Sequence, residues 1–277
     1  MSLSNRAGSE SRAHTGSTHA ETSLTQFAKD WSILIAAILV YFWLRALVPV
    51  NIPNAVDVTV HLIDFEKALH IFWEPRLQAD SIRYDWLKEV ANYTYSYLHF
   101  PALAGMGLLL WFRNRRQFVL VRNTMYVSMV IGLVFYYVIP AAPPRLMAIN
   151  GHNYGFVDTV FGKKSGVLYP EPPFYVNDYA AIPSFHFGWI ALASWGLWTS
   201  GPSRWVRALA IVILVSMTWA SAATANHLFV DMAIGGAVLI ASWAIAAYVV
   251  PAVSSRLVRP RRQLEAYPGH EPGGPPG

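Results

Sequence analysis

The chain contains no cysteine and few charged residues. Of its 277 residues, 13% are Asp, Glu, Lys or Arg, whereas soluble globular domains carry about 25%. Without cysteine, disulfides, thiolate nucleophiles and cysteine-ligated metals are excluded. The low charge argues against most cytosolic enzymes, and a hydrophobic content of 54% excludes a disordered chain. The sequence also lacks a Gly-rich nucleotide loop, a His-Glu-x-x-His zinc motif and an EF-hand loop.

The hydrophobic residues fall into blocks rather than being spread along the chain. Each block has about 18–20 residues, which is enough for a helix to cross a bilayer. We therefore predict an all-α integral membrane bundle of six transmembrane helices. The predicted spans are Trp31–Val48, Tyr93–Phe112, Asn123–Ile139, Pro183–Thr199, Ala208–Ala225 and Asn226–Val250.

Two long segments, 49–92 and 141–182, do not read as spans. The first contains an amphipathic stretch, Val56–Leu77, with apolar residues at 3–4 residue spacing. That period predicts a helix with one apolar face, lying along the membrane surface. The second segment is rich in Pro, Gly and Tyr, and its length is typical of a functional lid or site loop.

The basic residues are distributed unevenly between the two ends of the predicted spans. With the N-terminus inside, cytoplasmic segments hold 13 of the 21 basic residues and 5 acidic ones, whereas the other side holds 7 basic and 11 acidic residues. Cytoplasmic loops are enriched in Lys and Arg. We therefore predict a multi-pass cell-membrane protein with both termini cytoplasmic and loops 49–92 and 141–182 external. Its parts are a disordered tail at 1–28, a six-span catalytic domain at 29–252 and a disordered basic tail at 253–277.

Three polar motifs fall at span ends that this topology places on the outer face. Pro143-Pro144-Arg145 follows the third span, Pro183-Ser184-Phe185-His186 opens the fourth, and Asn226 to Asp231 opens the sixth. Ionisable residues inside spans are costly and usually functional. The convergence of three motifs predicts a site at this face.

His227 and Asp231 are candidates for the reacting pair. They are four residues apart, so on a helix they share one face with Cβ atoms about 5–6 Å apart. The carboxylate can then accept one imidazole proton and leave the other nitrogen as a free base or nucleophile. The alternative is a structural His–Asp hydrogen bond that ties helices together.

Ser184, His186 and Arg145 are candidates for anion binding. The free backbone N–H groups of a helix that begins near Pro183 form an anion site, to which Ser184 adds a hydroxyl. Arg145 offers the planar donor fork that suits phosphate. The alternatives are a capping serine, an interfacial histidine and an arginine at lipid headgroups. Elsewhere we expect Glu74 to pair with a surface arginine, Arg76, and His99 and Arg122 to support the bundle or line a substrate path.

Together these motifs resemble the type 2 phosphatidic acid phosphatase superfamily of membrane enzymes. Pro183-Ser184-Phe185-His186 matches that family's Pro-Ser-x-His signature, and His227 with Asp231 matches its His-x-x-x-Asp signature. The turn at 143–145 and the Trp73-Glu74-Pro75 region look like the branch related to inositol phosphorylceramide synthases. The resemblance covers residues 55–250.

The resemblance implies a role for each residue. His227 would attack phosphorus and become a phosphohistidine, Asp231 would orient it, and His186 would protonate the leaving alcohol. Arg145 and Ser184 would hold the phosphoryl oxygens. The substrate would be a lipid phosphate or phospholipid in the bilayer, with no metal, cofactor or nucleic acid involved; the oligomeric state stays open.

The sequence departs from the family pattern at two cationic positions. The first signature has Lys where this chain has Val138, and the third has Arg where it has Ser221. Either Arg145, Arg122, Lys163 or Lys164 compensates, or the substrate is held differently. Three functions stay open: a lipid phosphatase, a phosphotransferase that moves an inositol-phosphate-type headgroup between lipids, and a non-catalytic lipid transporter or scaffold.

Overall fold

The computed structural model describes residues 4–161 and 176–249, with side chains from residue 24 onward. Across these residues the fold is all-α, as predicted, and the one β-type contact is an isolated bridge between Ala141 and Ala180. Lys163, Lys164 and the predicted tail at 253–277 lie outside the described residues.

Nine α-helices make up the described part of the chain. They are α1 (Ser4–Leu47), α2 (Ile52–Ala68), α3 (Glu74–Ile82), α4 (Asp85–Tyr97), α5 (His99–Arg113), α6 (Arg115–Val138), α7 (Phe185–Ser200), α8 (Arg204–Ala223) and α9 (Phe229–Ala244). Two 3₁₀ turns, Pro144–Leu146 and Ala148–Asn150, follow α6, and a π-helical turn, Ile245–Val249, extends α9.

Four helical segments are long and apolar enough to cross a membrane, so the chain is a membrane protein. They are Leu24–Leu47, Arg115–Val138, Arg204–Ala223 and Phe229–Val249. The predicted second span is divided at Leu98 into α4 and α5, and α5 and α7 have 15 and 16 residues. At 1.5 Å per residue, each of these two helices is shorter than the roughly 30 Å of hydrocarbon in a bilayer. The number of six spans therefore stays a prediction.

Helix α7 lies at the centre of the bundle and packs against α5, α8 and α9. Its Trp189, Ile190 and Ala193 are almost wholly buried. Gly235 of α9 lies against the backbone of Ser184, where a Cβ atom would collide with the serine carbonyl. This close approach brings the start of α7 next to the start of α9, and thereby joins two of the three motifs.

Helix α1 begins well before the predicted first span. It includes residues 4–28, and the predicted division of the chain at residue 28 stays a prediction. The sequence has no proline before Pro49. Ser, Thr and His cost only a few tenths of a kcal/mol each in a helix, so a polar composition by itself does not end the helix.

The predicted amphipathic stretch forms two helices rather than one. Helix α2 ends at Ala68, and His70 adopts a left-handed conformation (φ 59°) before α3 begins. The side of α2 that carries Val56 and Ile63 is buried against the bundle, whereas Phe65 and Leu69 are about half exposed. An exposed apolar stripe is what membrane contact requires, and the interfacial placement stays a prediction.

Candidate functional site

The three motifs surround one cleft at the end of the bundle where α6 ends and α7 and α9 begin. Arg145, His186 and His227 all line it, whereas Ser184 and Asp231 are buried behind its wall. The remaining polar lining is Tyr41, Arg45, Tyr95, Ser96, His99, Tyr136, Asn177, Asp178 and Asn226, and the other aromatic lining is Phe42, Phe100, Phe161, Phe185 and Trp189. Segments far apart in sequence therefore meet in a single cavity with polar and aromatic walls.

The two histidines of the signatures face each other across this cleft. The ring centroids of His186 and His227 are 5.7 Å apart, and the rings are tilted by 47°. Tyr95 of α4 stacks on His186 at 4.2 Å. Within the described residues neither nitrogen of His227 has a hydrogen-bond partner, although the side chain is almost fully buried. Both nitrogens are thus buried and unpaired within the described residues.

His227 lies in a turn, not on a helix as predicted. The N–H groups of Asn226 and His227 both donate to the carbonyl of Ser221, and Ala225 takes a left-handed conformation (φ 52°). Helix α9 begins only at Phe229. This turn was not predicted, because the apolar residues on both sides of it continue the hydrophobic pattern of the predicted spans.

Asp231 lies beside His227 but bonds to backbone. One carboxylate oxygen, Oδ2, accepts the N–H of Leu228 at 2.9 Å and lies 3.8 Å from His227 Nδ1. The second distance is too long for a hydrogen bond. Catalytic hydrogen bonds are often long without substrate, so the arrangement suits an orienting carboxylate that a small rotation of the imidazole would engage.

Ser184 caps α7 rather than lining the cleft. Its hydroxyl oxygen accepts the N–H of Phe187 at 3.4 Å, and its own N–H donates to the carbonyl of Asp231 at 3.2 Å. Pro183 therefore precedes the N-cap instead of occupying the first helical position, and His186 is the second residue of α7. The serine is fully buried.

Arg145 is held by three partners. Its Nε donates to Asn226 Oδ1 at 2.9 Å, one terminal nitrogen donates to Asp158 at 3.1 Å, and the other donates to Asp178 at 2.7 Å. The guanidinium also lies 4.1 Å from the centroid of the Phe161 ring. A phosphate that binds Arg145 must therefore share it with two carboxylates or displace one of them.

The cleft contains Arg45, which was not among the predicted site residues, and His99, which was expected to support the bundle or line a substrate path. Arg45, at the end of α1, and His99, at the start of α5, both line the cavity, and the His99 ring centroid is 5.1 Å from that of His186. The signal for Arg45 was its position as the one charged residue of the first predicted span.

The remaining expectations about charged side chains have mixed outcomes. Arg122 is far from the cleft, because it binds Asp30 at 2.9 Å near the opposite end of α6. The predicted pairing of Glu74 with Arg76 is wrong: Glu74 is fully buried, and Arg76 lies 3.9 Å from Asp80. Burial of Glu74 depends on long-range contacts that sequence neighbours do not reveal.

The chain was also compared with protein families. The family model described as the PAP2 superfamily matches residues 60–245, which include all three motifs. No curated protein and no solved structure matches the chain.

Proposed function

The chain belongs to the PAP2 superfamily, and on that premise we propose that it is a membrane-embedded phosphoryl-transfer enzyme acting on a lipid phosphate. Family membership supports a phosphatase or phosphotransferase type of function. The observation that carries the proposal is the meeting of His186 and His227 in a cleft that Arg45 and Arg145 also line.

The proposed reaction proceeds in two steps on the imidazole of His227. Its Nε2 attacks phosphorus, because Nδ1 is the nitrogen nearer to Asp231. The bond from phosphorus to the lipid oxygen breaks, and His186 gives a proton to the leaving alkoxide. Water or an alcohol, deprotonated by His186, then attacks the phosphohistidine and restores the free imidazole. A positioned general acid is worth typically 10²–10⁴-fold in rate.

Arg45 is our candidate for the missing cationic ligand. Val138 and Ser221 stand where the family has Lys and Arg, and neither side chain can carry charge. Arg45 reaches the same cavity from a different helix, α1. Two guanidinium groups then stabilise the phosphoryl oxygens, whereas we assign Ser184 to capping α7.

The membrane topology of this proposal follows from charge. Asp30, Arg115 and Arg122 are joined by ion pairs near the end of the bundle opposite the cleft. Since basic residues mark the cytoplasmic side, the cleft belongs at the extracytoplasmic leaflet, with six helices crossing the bilayer and both termini inside.

A phosphotransferase that moves a headgroup between lipids is the second candidate. The observation that favours it is the polar wall formed by Asn177 and Asp178 beside Arg145. Amide and carboxylate oxygens there suit the hydroxyl groups of a polyol headgroup or acceptor. A non-catalytic lipid transporter remains the third candidate.

Purified protein tested with labelled lipids separates these functions. We expect phosphate release from phosphatidic acid or a polyprenyl phosphate, or headgroup transfer from phosphatidylinositol that depends on an added alcohol. His227→Ala is the matched inactive control. Lipid binding without turnover, equal in both proteins, would establish the transporter and refute the enzyme.

A further inference from the structure

Two glutamates outside the cleft are completely buried at the start of α9. Glu66 comes from α2, and Glu74 is the first residue of α3; both have 0% exposure. One carboxyl oxygen of Glu66 accepts the N–H of Val230 at 2.7 Å. One carboxyl oxygen of Glu74 accepts the N–H of Phe229, also at 2.7 Å.

These bonds provide hydrogen-bond acceptors for the start of α9, where the N-cap residue has none. The first N–H groups of a helix have no partner within it, and a Ser, Thr, Asp or Asn at the N-cap usually accepts one of them. Here the N-cap is Leu228, whose side chain has no acceptor. Two carboxyls from distant helices therefore cap the first two residues of α9, where the helix dipole favours negative charge.

The two carboxyl groups lie near each other, because they accept the N–H groups of adjacent residues, Phe229 and Val230. In the described part of the chain the second oxygen of each carboxyl, Oε2, has no hydrogen-bond partner. A bond between two carboxyls requires one of them to hold a proton. Burial, together with the nearby Glu74, raises the pKa of Glu66 to about 9, and burial also raises the pKa of Glu74.

The other charged groups near Glu66 and Glu74 do not neutralise the two carboxyls in place of a proton. An ionised Asp231 of α9 would add to the repulsion. Helix α8, which packs on α3, has no charged residue after Arg207, and Lys88 of the neighbouring α4 pairs with Asp85 at 3.0 Å. A proton shared between the two carboxyls would remove one negative charge from this buried helix start.

We propose that Glu66 and Glu74 are positioning residues, a proton-sharing pair that fixes the start of α9 and thereby holds His227 and Asp231 opposite His186. They touch no substrate in this arrangement. Their effect on turnover passes through Phe229 and Val230, which lie between the two reacting residues in sequence. The activity arm of the test rests on the proposed function, whereas the structural arms do not.

The test compares Glu66→Gln with Glu66→Ala in the full-length protein. Glutamine keeps an oxygen for Val230 and offers Glu74 a permanent N–H donor, so it mimics the protonated pair. We expect its kcat to stay within about threefold of wild type, whereas alanine lowers kcat more than tenfold with little change in KM. The control is Glu89→Gln, a partly exposed carboxyl on α4 that pairs with Lys88.

Amide hydrogen exchange over residues 225–232 measures how firmly the start of α9 is held, and this measurement does not depend on enzyme activity. Exchange should rise in Glu66→Ala and in Glu74→Ala, and stay at the wild-type level in Glu66→Gln. Equal exchange in all the variants would overturn the proposal, as would a Glu66→Gln protein that is folded but as slow as Glu66→Ala.

The pH dependence of thermal unfolding is the third arm. Because folding raises the pKa of Glu66 from 4.5 to about 9, the folded protein keeps a proton that the unfolded chain loses. Wild-type stability should therefore fall as pH rises through this interval, and Glu66→Gln should remove that part of the slope. An unchanged slope refutes the shared proton. If wild type turns over no phosphate ester, the proposed function fails, and the exchange and pH arms still decide the role of the pair.

Discussion

Replacing Arg145 by lysine tests whether its three hydrogen bonds hold the cleft together. The guanidinium uses three nitrogens on Asn226, Asp158 and Asp178. Lysine has one nitrogen and cannot span these partners, so we expect it to keep at most one acidic partner. Hydrogen bonds to charged groups are worth about 1.5–3 kcal/mol each.

The partly exposed carboxylates reduce this loss. The side chain of Asp178 is 47% exposed and that of Asp158 is 25% exposed, so water replaces part of what Arg145 supplies. The expected loss for Arg145→Lys is therefore about 2–3 kcal/mol, which corresponds to about 5–10 °C in Tm for a chain of this size.

Thermal unfolding in detergent, followed by tryptophan fluorescence, measures this change. The control is Arg76→Lys, because that side chain is 90% exposed and lies 3.9 Å from a single carboxylate; we expect less than about 1 kcal/mol there. If both variants unfold at the same temperature, the hydrogen bonds of Arg145 to its three partners do not stabilise the fold, and the reasoning is refuted.

Three further predictions concern catalysis and topology. His186→Ala should lose turnover of lipid substrates about 10²–10⁴-fold and recover the first step, measured as a burst of nitrophenol release, with a nitrophenyl phosphate, whose leaving group needs no proton; equal loss of this first step on both substrates would exclude His186 as the acid. Asp231→Asn should retain the fold and slow the reaction by several orders of magnitude, by analogy with triad enzymes, and a mild effect in kinetic assays would remove Asp231 from the orienting role. Since the chain has no cysteine, single cysteines at His152 and Ser203 should react with an impermeant reagent from outside and inside respectively, and the reverse pattern would contradict the topology.

The sequence was sufficient to predict that three motifs meet. Arg145, His186 and His227 each stand where a hydrophobic block ends or begins, and such positions lie on the same membrane face when an even number of crossings separates them. The structure brings all three into one cleft. The all-α fold was also predictable, because blocks of this length leave helices as the simplest way to satisfy backbone groups in lipid.

What the sequence could not show depends on tertiary contacts. Glu66 and Glu74 stand in the amphipathic stretch that was predicted to lie along the membrane surface, and their burial depends on contacts with α9. Arg45 has the pattern of an interfacial arginine, and its place in the cleft depends on how α1 packs. The turn that carries His227 is held by hydrogen bonds to the carbonyl of Ser221, and no local residue pattern predicts this turn.

The buried glutamates also bear on how the chain is synthesised. Glu74 leaves the ribosome 155 residues before its partner Phe229, and Glu66 leaves 164 residues before Val230. At a synthesis rate of about 5–20 residues per second, the first carboxyl waits on the order of 10–30 s for its N–H group. During that interval the two acids have no helix start to receive them, so α2 and α3 must remain hydrated. The first half of the protein therefore closes only after α9 has been inserted.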